Sequence, residues 1–72
     1  MAGSISIGDR VQVYFGPKFG EKEGWYTGRV FQIDPYSDHR CFYWVELDAE
    51  AQKGLGIRQI SIFNPKNIRK LE

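Results

Sequence analysis

The chain has a single cysteine and a single histidine among its 72 residues, and each scarcity excludes a class of chemistry. Cys41 alone leaves no intrachain disulfide framework and no cysteine-based zinc site. At the head of its strand it has no neighbouring base or basic cluster, so it reads as a structural residue rather than a reactive thiolate. His39 follows Asp38 in a turn, and acid–base catalysis there would need a partner from elsewhere. No apolar run approaches the roughly 18 residues of a spanning helix. With no signal-peptide pattern either, the expected location is intracellular and cytoplasmic. An excess of one charge is also missing. Ten Lys and Arg face nine Asp and Glu, a formal net charge of +1, without the basic stripe of a dedicated duplex-DNA binder.

Aromatic residues, by contrast, are plentiful at 15% of the chain. Each buries ~150–250 Å², which is one way for a short chain to build a core. Hydrophobic residues at 42% and charged residues at 26% are ordinary for a globular domain. A chain this short makes one domain, expected over residues 5–72 after a flexible start at 1–4, with a core worth a few kcal/mol net.

Arg10-Val11-Gln12-Val13-Tyr14-Phe15 reads as a first strand, with Val11 and Val13 inward and Gln12 and Tyr14 outward. Phe15 is expected to leave that alternation and pack under the next segment. Gly16 to Gly24, with three glycines and a proline, reads as a long surface loop. Trp25 to Ile33 reads as the second strand. Tyr26, Gly28 and Val30 share one face, and Trp25, Thr27, Arg29 and Phe31 the other, so an inward Ile33 requires a bulge or a strong twist after Phe31. Gly28 suits a bent strand or a close backbone approach.

Asp34-Pro35-Tyr36-Ser37-Asp38 reads as a turn, and His39 to Leu47 as a third strand. In that strand Cys41, Tyr43 and Val45 oppose Phe42, Trp44 and Glu46, or Leu47 past a bulge. Asp48 to Gly54 allows one helical turn closed by Gly54. Ile57 to Phe63 is a fourth strand, Asn64 to Asn67 a turn of possible 3₁₀ type, and Ile68 to Leu71 a short fifth strand. Short strands without a long helix predict an all-β, small five-stranded antiparallel barrel. Its expected core includes Val11, Val13, Val30, Ile33, Val45, Ile60 and Leu71.

That strand order and spacing resembles the SH3-like barrels, and among them the Tudor-like branch. The resemblance is carried by Tyr14 at the end of the first strand and by Trp25-Tyr26-Thr27-Gly28-Arg29-Val30-Phe31-Gln32-Ile33-Asp34. The closing Phe63-Asn64-Pro65-Lys66-Asn67-Ile68-Arg69-Lys70-Leu71 adds to it. For methyl-lysine-reading Tudor domains the resemblance implies a cage of aromatic rings, with Tyr14 and Tyr26 at its first two positions. The chain departs from that pattern near Leu47 and over Asp48 to Gly54, where no aromatic stands. Phe19 or Trp25 would have to close the cage.

The candidate binding residues are Tyr14, Trp25, Tyr26, Arg29, Phe42 and Trp44. Tyr14, Trp25 and Tyr26 are the best candidates for a ligand-facing cluster, or else they cover the core with their polar atoms at the surface. Phe42, Tyr43 and Trp44 offer more aromatic area than one barrel face needs, so they are either covered by the Phe19 loop or form a contact surface. Asp34, Asp38, Asp48 and Glu50 do not have the spacing of a calcium loop. No metal, no cofactor and no catalytic residue is expected. The expected function is a non-catalytic recognition or adaptor module for a protein or peptide, monomeric or weakly dimeric and away from membranes. The alternatives are weak RNA or single-stranded DNA binding across Trp25, Arg29, Phe31 and Arg58, or a small accessory subunit of a larger complex.

Overall fold

Strict alternation of β-branched and polar residues builds the first strand, β1 (Arg10–Phe15), in a computed structural model that describes residues 5–38 and 40–71. The expected flexible start at 1–4 and the turn position of His39 lie outside the described residues. Val11, Val13 and Phe15 are all buried on one side of β1. Phe15 therefore continues the alternation instead of leaving it. It still packs under the following segment, edge-on to Phe19 with ring centroids 4.8 Å apart. That segment is exposed, as expected of a surface loop, but it winds into 3₁₀ turns over Pro17–Lys22, interrupted at Gly20, where φ is 60°.

β2 (Gly24–Ser37) pairs antiparallel with β1 from Gly24 to Arg29, and with β3 (Arg40–Leu47) from Gly28 to Ser37. The register slips between Val30 and Gln32, so Phe31 is an extra residue and Ile33 returns toward the core side. Of the bulge and the strong twist that the sequence allowed after Phe31, the bulge is the one present. The turn expected over Asp34 to Asp38 is instead mostly strand, since β2 runs through Pro35 and slips register again before Ser37. Past its contact with β1, β2 has a strand neighbour on the β3 side alone among the described residues. A proline on such an edge removes no ladder bond when its nitrogen faces outward.

Leu47 joins Val45 in the core by simple alternation, without a bulge. Helix α1 (Ala49–Leu55) follows, longer than the expected single turn. It ends at Gly56 rather than Gly54, because Gly56 adopts the left-handed conformation (φ 77°) and its N–H reaches the Gln52 carbonyl at 2.8 Å. α1 turns Ala51 onto the core. β4 (Gln59–Ile62) is shorter than expected, and Ile57 is exposed. The Asn64 side chain accepts the Lys66 N–H at 2.9 Å and caps a 3₁₀ turn over Pro65–Asn67. β5 (Ile68–Lys70) then pairs with β1.

The strands form one five-stranded antiparallel sheet in the order β4-β3-β2-β1-β5. The fold is all-β in its main architecture. Among the described residues no ladder joins β4 to β5, so the sheet curls without closing into the expected barrel. Of the expected core, Val11, Val13, Val30 and Val45 are buried. Ile33 and Ile60 are only half-buried against it, one past the bulge and the other on an edge strand, and Leu71 is half-buried just past β5. Phe15, Leu47, Ala51, Ile62 and Ile68 complete the core. Among the described residues no helix is long and apolar enough to cross a membrane.

Candidate functional site

Strand register decides which candidate aromatics can meet. Tyr14 lies opposite Trp25, and Val13 lies opposite Tyr26, so Tyr14 and Tyr26 face opposite sides of the sheet. The Tyr14 and Trp25 rings are 5.4 Å apart on the outer face. Arg69, brought alongside by β5, lays its guanidinium 4.0 Å from the centre of the Trp25 ring and donates to the Gln12 side chain at 2.9 Å. Tyr26 instead packs edge-on against buried Phe15 at 5.3 Å, and its hydroxyl donates to the Lys22 carbonyl at 2.7 Å. That bond pins the Pro17–Lys22 segment over the core. The two cage positions implied by the Tudor resemblance are not brought together.

The Tyr14 hydroxyl hydrogen-bonds the Glu23 carboxylate. That hydrogen bond, with burial and the nearby negative charge adding to it, holds the phenol above its usual 10.0.

A groove of about 540 Å³ opens between the Gly16–Phe19 segment and β4 with its following turn. Tyr14, Pro17 and Phe19 form one wall, and Ile60 and Phe63 the other, with Asn67 between them. Among the described residues no carboxylate lines it, and Lys18 is its one charged side chain. The groove runs beside β4, one edge strand of the open sheet.

Phe42 belongs to a second cluster, with its ring 5.0 Å from Phe63 and 5.6 Å from Tyr36. Arg40 sits 5.2 Å over Phe63. The long β2–β3 hairpin and the end of β4 build this cluster, so Phe42 is covered by Tyr36 and Phe63, not by the Phe19 loop. Trp44 stands apart and donates its indole N–H to Asp34 at 3.1 Å, a carboxylate that also accepts from Gln32. Arg29 reaches the Gly8 carbonyl at 3.4 Å. Arg58 pairs with Glu46 at 3.3 Å, and Glu46 lies opposite Arg29, so an acid separates the two arginines.

A second hollow of about 370 Å³, lined by Trp25, Tyr26, Thr27, Asp48, Glu50 and Ala51, carries two carboxylates. Among the described residues no three His, Cys, Asp or Glu side chains converge where they could hold a metal ion. No family model, no curated protein and no solved structure matches the chain.

Phe63 and Arg69 were not among the candidates. Phe63 was legible as an aromatic just past the alternation of Ile60 and Ile62, immediately before an Asn-Pro turn. Arg69 gave no such signal, because its position beside Trp25 depends on the pairing of β5 with β1.

Proposed function

We propose that this chain is a non-catalytic recognition module that binds a protein or peptide segment in the groove between Pro17–Lys22 and β4. The observation that carries this reading is the groove's make-up. Three aromatic side chains, Tyr14, Phe19 and Phe63, stand around a concave surface free of carboxylates among the described residues. Rings outside the groove brace its walls, since Trp25 packs at a tilt against Tyr14, and Phe42 and Tyr36 pack on Phe63. Rigid amphipathic rings give contact area at low entropic cost and anchor most recognition surfaces. An SH3-like, Tudor-like ancestry is part of the proposal, supported by the β1-to-β4 meander and the 3₁₀ turn that returns β5 beside β1.

The nucleic-acid alternative has less to rest on. Arg69 already lies over the Trp25 ring, and the Arg58 charge is offset by Glu46.

The test selects ligands from a random-peptide display library and maps the bound complex by backbone NMR. Shifts are expected at Phe19, Ser61 and Phe63. Phe19→Ala and Phe63→Ala are each expected to weaken binding on the order of tenfold, while Phe31→Ala leaves it unchanged. A selection without binders, or shifts confined to Arg29 and Phe31, would overturn the reading.

A further inference from the structure

The open sheet leaves β4 with one edge unpaired. Leu47 N–H donates to the Arg58 carbonyl at 2.9 Å, which sets the phase of the β3–β4 ladder. Ile60 and Ile62 are then the residues that exchange backbone hydrogen bonds with Val45 and Tyr43. Ser61 between them, and Phe63 one step on, turn their N–H and C=O away from β3. No described residue bonds to these groups, and both residues line the groove.

Free strand edges are ordinarily blunted by lysine, proline, bulges or inward charges. The other edges of this sheet carry such devices. β5 is Ile68-Arg69-Lys70, and the outer part of β2 holds Pro35 and two register slips. β4, Gln59-Ile60-Ser61-Ile62, is short but carries no lysine, proline, bulge or inward charge.

We infer that β4 accepts an extended segment of a partner protein as an added strand in this groove. This rests on the recognition reading above and specifies its ligand. Charge selects the kind of segment. Lys18 lines the groove, Lys66 stands in the adjoining turn and Arg40 lies over Phe63. None of these three forms an ion pair among the described residues. The segment is therefore one that alternates apolar residues and carries Asp or Glu. Its main chain satisfies Ser61 and Phe63, its apolar side chains meet Phe19 and Tyr14, and its carboxylates meet the cations.

The probes are peptides selected from a random display library, with hydrogen exchange as the readout. Selected sequences are expected to be acidic with alternating apolar residues, and to slow exchange of the Ser61 and Phe63 amides. N-methylating the peptide nitrogens that face β4 should lower affinity on the order of tenfold, whereas methylating the intervening ones should not. Ser61→Pro should cause a similar loss. The peptide modification gives the same information should that variant fold poorly.

Selected peptides that occupy the groove without protecting these amides, or that tolerate every N-methyl group, would overturn strand addition while leaving a side-chain recognition groove. The absence of any binding peptide would overturn both. Protection of Ser61 and Phe63 in the free protein that rises with its concentration would assign the edge to a second copy of the chain instead, and would also overturn the inference.

Discussion

Gly28 is where β2 passes close against β3. A Cβ there would lie 2.6 Å from the Glu46 carbonyl oxygen and 2.6 Å from a Val45 methyl, so backbone as well as side chain would have to move. Gly28→Ala is expected to cost about 2 kcal/mol, a large part of the stability of a chain this small, and urea denaturation would measure it. An unchanged midpoint would refute the close-approach account. Tyr14 offers a test at the groove itself. Its hydrogen bond to Glu23 raises the phenol above 10.0, so its contribution to stability is complete below that value and is lost as pH rises through the folded-state value. Glu23→Ala should bring the Tyr14 titration back toward 10.0. Ultraviolet titration, with Tyr14→Phe as reference, reads the change directly.

Among the elements, the turn before β1 and the strand β5 share one carboxylate. Asp9 accepts the Ser6 N–H at 2.8 Å and meets Lys70 at 3.5 Å. The bond from Ser6 chiefly, and the charge of Lys70 after it, lower the Asp9 pKa below the usual 3.8. A lowered pKa stabilises the fold above 3.8, and that contribution disappears as pH falls through the folded-state value. Asp9→Asn should accordingly flatten the fall of the thermal midpoint between neutral and strongly acidic pH. A fall as steep as in the parent chain would show that the carboxylate does not tie these elements. The Pro17–Lys22 segment is fixed differently, by Phe19 on Phe15 and by the Tyr26 hydroxyl on Lys22. One groove wall is thus an outgrowth of the core.

For the molecule as a whole, charge is nearly balanced in number, and on the face that carries Trp25 and Glu46 several arginines are already engaged. Arg10 meets Asp48 at 3.4 Å and Arg58 meets Glu46, while Arg69 is engaged with Trp25 and Gln12. These engaged arginines are poorly placed to displace counterions from a phosphate backbone. Fluorescence anisotropy with mixed-sequence RNA and single-stranded DNA at low salt is therefore expected to find no complex. Binding that falls steeply with added salt would restore the nucleic-acid alternative.

The sequence by itself determined the strands, because alternation and turn residues are local signals. Val11-Gln12-Val13 and the Asn64–Asn67 turn were legible without coordinates, and so were a bulge or strong twist after Phe31 and a bend or close approach at Gly28. It misplaced the ends of elements where a neighbour's presence or absence decides the outcome. Pro35 remains in β2 because that stretch is an edge, and Gly56 rather than Gly54 ends α1 because it is the residue that turns left-handed. The groove was hidden for a stronger reason. Tyr14, Phe19 and Phe63 are scattered along the chain, and only the β1–β2 and β3–β4 registers bring them to the groove beside β4. The same registers sent Tyr14 and Tyr26 to opposite faces, since a strand alternates its side chains and a pairing offset of one residue decides which rings can meet.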